Sequence, residues 1–210
     1  MTDAEDFATR IRATGPLAAN QVAYVVSSVA ADIDGRVAAG VPHGRLSPAA
    51  IALRPNGSVT MIDAAALGNV PDTGAHAAPE VFAGSPPDAR SEVFSLASTA
   101  YTLLTGSTPN SFGIANARQA RPDLGPGLEA VLTRATSRDP AFRFQSAADL
   151  ARALAEVLTP VAGDTPASPQ AARARDHRPR KGPVLALLAL VLAVLGVLLW
   201  TAVFIAHRFL

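Results

Sequence analysis

The sequence predicts a mainly α-helical domain with one short β-hairpin, followed by a single membrane-spanning helix. Three observations carry this. Apolar residues recur at three- and four-residue spacing in separate stretches between Val22 and Leu158, the period of helices with one buried face. Asn56-Gly57 separates two short runs of alternating apolarity, the mark of a hairpin. Pro183 to Ala206 reads PVLALLALVLAVLGVLLWTAVFIA without one charged side chain, and a soluble helix needs a polar face.

The elements follow in order. Residues 1–15 begin MTDAEDFATRIR, acidic and without an apolar run, so they form no signal peptide and are read as an N-terminal extension. Val22, Val25, Val26, Val29, Ile33 and Val37 predict a first helix between Pro16 and Gly40. Ile51 and Leu53, then Asn56-Gly57, then Val59 and Met61 predict a tight hairpin. A second helix runs through Val93, Leu96, Ala97, Leu103 and Leu104 and closes at Gly106. A third covers Leu128 to Ala135 and stops before Asp139-Pro140. The last is capped by Ser146, with Asp149 three residues on, and turns Leu150, Leu154, Val157 and Leu158 inward. These elements place a folded domain at 16–158.

Residues 159–182 are rich in Pro, Ala and Arg with no apolar period and read as a linker. The stretch 183–206 is the expected span: roughly 24 residues at about 1.5 Å each reach about 36 Å, against a hydrocarbon core of about 30 Å. Arg173, Arg175, Arg178, Arg180 and Lys181 precede it and only Arg208 follows, so the N-terminal domain is expected on the cytoplasmic side and the tail 207–210 outside. The chain is thus read as a single-pass membrane protein. The basic cluster is placed to meet anionic membrane lipids. With net charge +1 and its basic residues gathered beside the span, the chain is not expected to bind nucleic acid. It has no cysteine, which excludes disulfides and thiolate metal sites.

The local words along 16–158 carry a resemblance. His43-Gly44-Arg45-Leu46-Ser47-Pro48 followed by Ile51 resembles the catalytic loop HRDLKPxNI of bacterial serine/threonine protein kinases. Met61-Ile62-Asp63 resembles the strand leading into DFG, and Ala78-Pro79-Glu80 matches APE. Glu92-Val93-Phe94-Ser95-Leu96 resembles the DxYSLG start of the central helix, Leu103-Leu104-Thr105-Gly106 its end, and Asp139-Pro140 through Arg143-Phe144 the late DPxxRF word. The resemblance implies a protein-kinase-like C-terminal lobe. No Gly-rich loop, strand lysine or partner glutamate precedes the first helix, so an N-terminal lobe is not expected.

Where the resemblance implies catalytic groups, the residues depart from it. Arg45 stands at the catalytic aspartate and cannot accept a proton. Ser47 stands at the loop lysine and Ala50 at the metal-binding asparagine, so the loop of His43, Arg45, Ser47 and Ala50 is degenerate and no catalytic residue is assigned. Asp63 keeps the DFG carboxylate, a weak candidate metal ligand, but Ala64 and Ala65 follow it. No cofactor-binding residue is assigned and no cofactor is expected; ATP with magnesium belongs only to the alternative below. Thr73 is the only hydroxyl from Asp63 to Glu80 and offers little to an activating phosphorylation. His43 is read as a packed core residue.

Structural groups are kept. Glu80 and Arg143 match the pair that in the family ties the activation segment to the helices behind it, and Glu92 replaces the family's aspartate at the start of the central helix, one methylene longer but still a carboxylate that can accept backbone N–H groups. The expected function is therefore a membrane-anchored, catalytically inactive kinase-like module, a scaffold or regulatory binding protein for cytoplasmic or membrane proteins. The alternative is an active serine/threonine kinase with a non-standard or partner-completed site.

Overall fold

The structure, a computed structural model, describes residues 4–68, 73–109 and 121–159. The chain divides into two units, Met1–Val161 and Ala162–Leu210; the described residues all belong to the first. The expected linker from 160 onward, the span 183–206 and the tail 207–210 lie outside them. Among the described residues no helix is long and apolar enough to cross a membrane.

The element order is β1 (Glu5–Asp6), α1 (Phe7–Thr14), α2 (Ala19–Ala38), a 3₁₀ turn (Pro48–Ala50), β2 (Ile51–Leu53), β3 (Val59–Met61), α3 (Thr73–His76), α4 (Pro79–Phe82), α5 (Ala89–Thr105), α6 (Pro126–Ala135), a second 3₁₀ turn (Pro140–Phe142) and α7 (Ala147–Leu158). The valine stripe of α2 forms its inner face: Val22, Val25, Val26, Val29 and Ile33 are buried, while Val37 is half-exposed where the helix leaves the core. That face packs on α7 and α5. Each such side chain removed from water contributes about 1.5–3 kcal/mol before entropy is counted. The α5 helix runs through the middle with Val93, Leu96, Ala97, Ala100 and Leu103 fully enclosed. It begins at Asp88, whose side chain accepts from the N–H groups of Arg90 and Ser91, both at 2.9 Å, and it ends at Gly106 in the left-handed region (φ 72°).

The hairpin pairs Ile51 with Met61, Ala52 with Thr60 and Leu53 with Val59, antiparallel. Its connection is wider than the tight turn that Asn56-Gly57 predicts. Arg54 N–H donates to Ser58 O at 2.8 Å and Gly57 N–H to Arg54 O at 2.9 Å, leaving a three-residue loop whose last residue, Gly57, takes the positive φ (83°).

Residues 1–15, read from the sequence as an extension, carry two elements. β1 pairs antiparallel with β2, Glu5 opposite Leu53 and Asp6 opposite Ala52, making a three-stranded sheet in the order β1-β2-β3. In α1 the i, i+4 pair Phe7 and Ile11 is buried, and Asp6 caps the helix by accepting from Thr9 N–H at 2.8 Å. Two large apolar residues in eight give a weak period, so the helix owes its place to docking on β2 and the first 3₁₀ turn rather than to its own pattern.

Candidate functional site

The loop from His43 to Ala50 joins α2 to β2 and packs on α5, and the segment from Ile62 to Gly68 follows β3. His43 is buried, and a neutral ring satisfies both its partners: Nε2–H donates to Ile62 O at 2.8 Å and Nδ1 accepts from Arg45 N–H at 3.2 Å. Gly44 sits at φ 71°, and a Cβ there would lie 3.1 Å from Pro87 Cγ. Its N–H donates to Glu92 Oε1 at 2.6 Å.

Glu92 therefore does not cap its own helix; Asp88 does that, and Glu92 lies in the first turn with its carboxylate turned to the loop. It is 1% exposed, and its second oxygen, Oε2, is buried with no hydrogen-bond partner among the described residues. Burial pushes its pKa up, against the bond from Gly44 N–H, which pulls it down.

Arg45, where the resemblance places a catalytic base, donates instead. Its Nη1 reaches Ala64 O at 3.0 Å and its Nη2 reaches Gly68 O at 2.7 Å. Asp63 is bonded to Arg36 of α2, Nη2 to Oδ1 at 2.7 Å, and its side chain is 69% exposed. Ser47 is buried with its hydroxyl unpartnered among the described residues, and Ala50 is fully buried behind β2. Among the described residues no three His, Cys, Asp or Glu side chains gather to hold a metal ion. One carboxylate already bonded to an arginine, with an alanine where the resemblance implies a second ligand, does not fit magnesium-nucleotide chemistry.

The structure brings Glu80 and Arg143 together. Arg143 Nη1 donates to Oε1 at 2.6 Å and Nη2 to Oε2 at 2.9 Å, a two-pronged contact. Burial is one-sided: the Arg143 side chain is fully enclosed, while that of Glu80 keeps 25% of its surface in water. The guanidinium is further satisfied by Ser137 O at 2.7 Å and Arg90 O at 3.1 Å, and it lies 5.0 Å from the centre of the Phe94 ring. Arg143 thus joins α4, α5 and the second 3₁₀ turn.

Beside the loop lies a cavity of about 460 Å³, which sequence reasoning missed. Its lining includes Arg12 of α1, Ser47, Ile62, Leu67, His76 and Thr102 of α5. His76 is buried with Nδ1 2.9 Å from Ser98 Oγ. The cavity needs α1, which the weak apolar period hid, and side chains from five separate stretches.

The architecture matches solved structures. The kinase domain of Mycobacterium tuberculosis PknI superposes with a TM-score of 0.64 at 28% identity, covering 74% of this chain and 63% of that one. The fold is protein-kinase-like. Sequence relatives are of the same kind: this kinase-like chain is 32% identical over 165 residues to the serine/threonine-protein kinase PknJ of Mycobacterium tuberculosis, 64% of this chain and 28% of that protein. It is 26% identical over 182 residues to PknB of Mycolicibacterium smegmatis, 74% of this chain and 29% of that protein. The chain spans less than a third of the length of these curated relatives. No family model matches it.

Proposed function

We propose that this chain is a kinase-like module without phosphotransfer activity that sits at the cytoplasmic face of a membrane and acts as a scaffold or regulatory binding protein. One observation carries the reading: the side chain at the position of the catalytic base is Arg45, a group with donors only, engaged with the carbonyls of Ala64 and Gly68. The Arg36–Asp63 bond supports it, since the surviving metal-type carboxylate already has a cationic partner. The ties that Glu80, Arg143 and Glu92 make hold the loop and helices together and need no chemistry. The cavity of about 460 Å³ falls in the size range of binding pockets and offers a mixed lining to a partner segment.

Membrane attachment rests on the uncharged stretch 183–206 and the basic residues before it. Confinement to a surface would raise the effective concentration of partners there. The second reading, an active serine/threonine kinase whose base and nucleotide site are completed elsewhere, is favoured by the relatives, which are named as kinases.

Thermal unfolding of the full chain in detergent, with and without magnesium ATP, separates the two. A nucleotide at about 100 times its Kd adds about 2.7 kcal/mol, or roughly 5–10 °C in Tm for a domain of this size. No shift is the expected result. A clear shift, with phosphate transferred to a generic serine substrate, would overturn the inactive reading.

A further inference from the structure

We propose that Arg45, seconded by Arg36, is a built-in clasp that fastens residues 62–68 to the scaffold and so keeps one wall of the cavity permanently in place. The segment after β3 has little regular structure of its own: Ile62 N–H reaches Ala50 O at 2.8 Å and Ala66 N–H reaches Asp63 O at 2.9 Å. Its other fastenings come from side chains rooted elsewhere. His43 bonds Ile62 O, Arg36 of α2 bonds Asp63, and Arg45 bonds both Ala64 O and Gly68 O. The two Arg45 bonds bracket the turn at its ends, so one planar guanidinium fixes the spacing of two carbonyls four residues apart. Ile62, Ala66 and Leu67 from this segment line the cavity, which makes the fastened turn its wall.

The two arginines do not share the task equally. Arg36 meets a carboxylate that is 69% exposed, and a water-facing pair of that kind is screened. Arg45 is partly buried and its donors are charge-assisted, so it carries the larger part. The position that the resemblance gives to a proton acceptor has become a fastening, which holds whether or not the chain binds a partner.

Hydrogen exchange of the full chain in detergent tests this, comparing wild type with Arg45→Ala, Arg45→Lys and Arg36→Ala. Arg45→Ala should speed exchange in the peptide covering 62–68 by on the order of tenfold, with α5 and α7 unchanged. Arg45→Lys, which can reach one carbonyl but not both, should fall between, and Arg36→Ala should change it less than about threefold. Unchanged exchange over 62–68 in Arg45→Ala overturns the clasp, and an Arg36→Ala effect larger than that of Arg45→Ala overturns the assignment to Arg45. If Arg45→Ala fails to fold, Arg45→Lys decides by the same reading. Global loosening in both overturns a local fastening.

Discussion

Glu92 illustrates what one methylene does in a closed space. Its Oε1 takes the Gly44 N–H, while Oε2 is left buried and unpartnered among the described residues. In the unfolded chain the group titrates near the ordinary 4.5; in the fold, burial holds the proton to higher pH. Between those values the native state binds more protons than the unfolded state, so stability falls as pH rises through the window. Glu80 runs the other way. Burial alone would raise its pKa, but the hydrogen bonds from Arg143 outweigh that and hold it below the usual 4.5. The stability it contributes is full above 4.5 and is lost as pH falls through the folded value. Urea unfolding across about pH 3 to 8 should therefore show a maximum, with Glu92→Gln flattening the upper side and Glu80→Gln the acid side. A Glu92→Gln profile identical to wild type would show that the buried carboxylate does not set it.

At the scale of elements, α7 is the best anchored at its start. Ser146 accepts from Asp149 N–H at 3.1 Å, and Asp34, far away on α2, accepts from Ala147 N–H at 2.8 Å and Ala148 N–H at 3.0 Å. A carboxylate at a helix N-terminus also meets the positive end of the dipole. Replacing Ser146 by Ala should cost about 1 kcal/mol. Asp34→Ala should cost at least as much, because it also unfastens α7 from α2, and denaturant midpoints would rank the two. The Ser146 cap was legible because it is local, as was the valine face of α2. Asp34 was not legible, since nothing in its neighbourhood marks a partner more than a hundred residues on. β1 and α1 failed for a related reason: two residues make no strand pattern, and Phe7 with Ile11 become a face only when β2 is there to cover them.

Across the whole molecule, the order of the longer helices and the hairpin was readable from period and turn chemistry, and the residues at the positions that the resemblance gives to catalytic groups could be named from the local words. Their new partners could not. Nothing in the sequence says that Arg45 meets Ala64 and Gly68, or that Asp63 meets Arg36, because both depend on how the turn after β3 lies against α2. The cavity was hidden for the same reason, being assembled from α1, the 43–50 loop, the 62–68 segment, His76 and α5.

Gly44 gives this arrangement a direction. At φ 71° a side chain costs about 1–2 kcal/mol, and here its first carbon would also press on Pro87. The arginine that the resemblance implies at this position would carry that strain and need Pro87 to give way by a few tenths of an ångström. An aspartate restored at 45 alone would leave the carbonyls of Ala64 and Gly68 without the donors they now receive. The fastening of the loop is thus shared with the turn it holds: Arg45→Asp removes both donors at once and should lose fold stability, with no phosphate transfer to a generic serine substrate as the expected activity result.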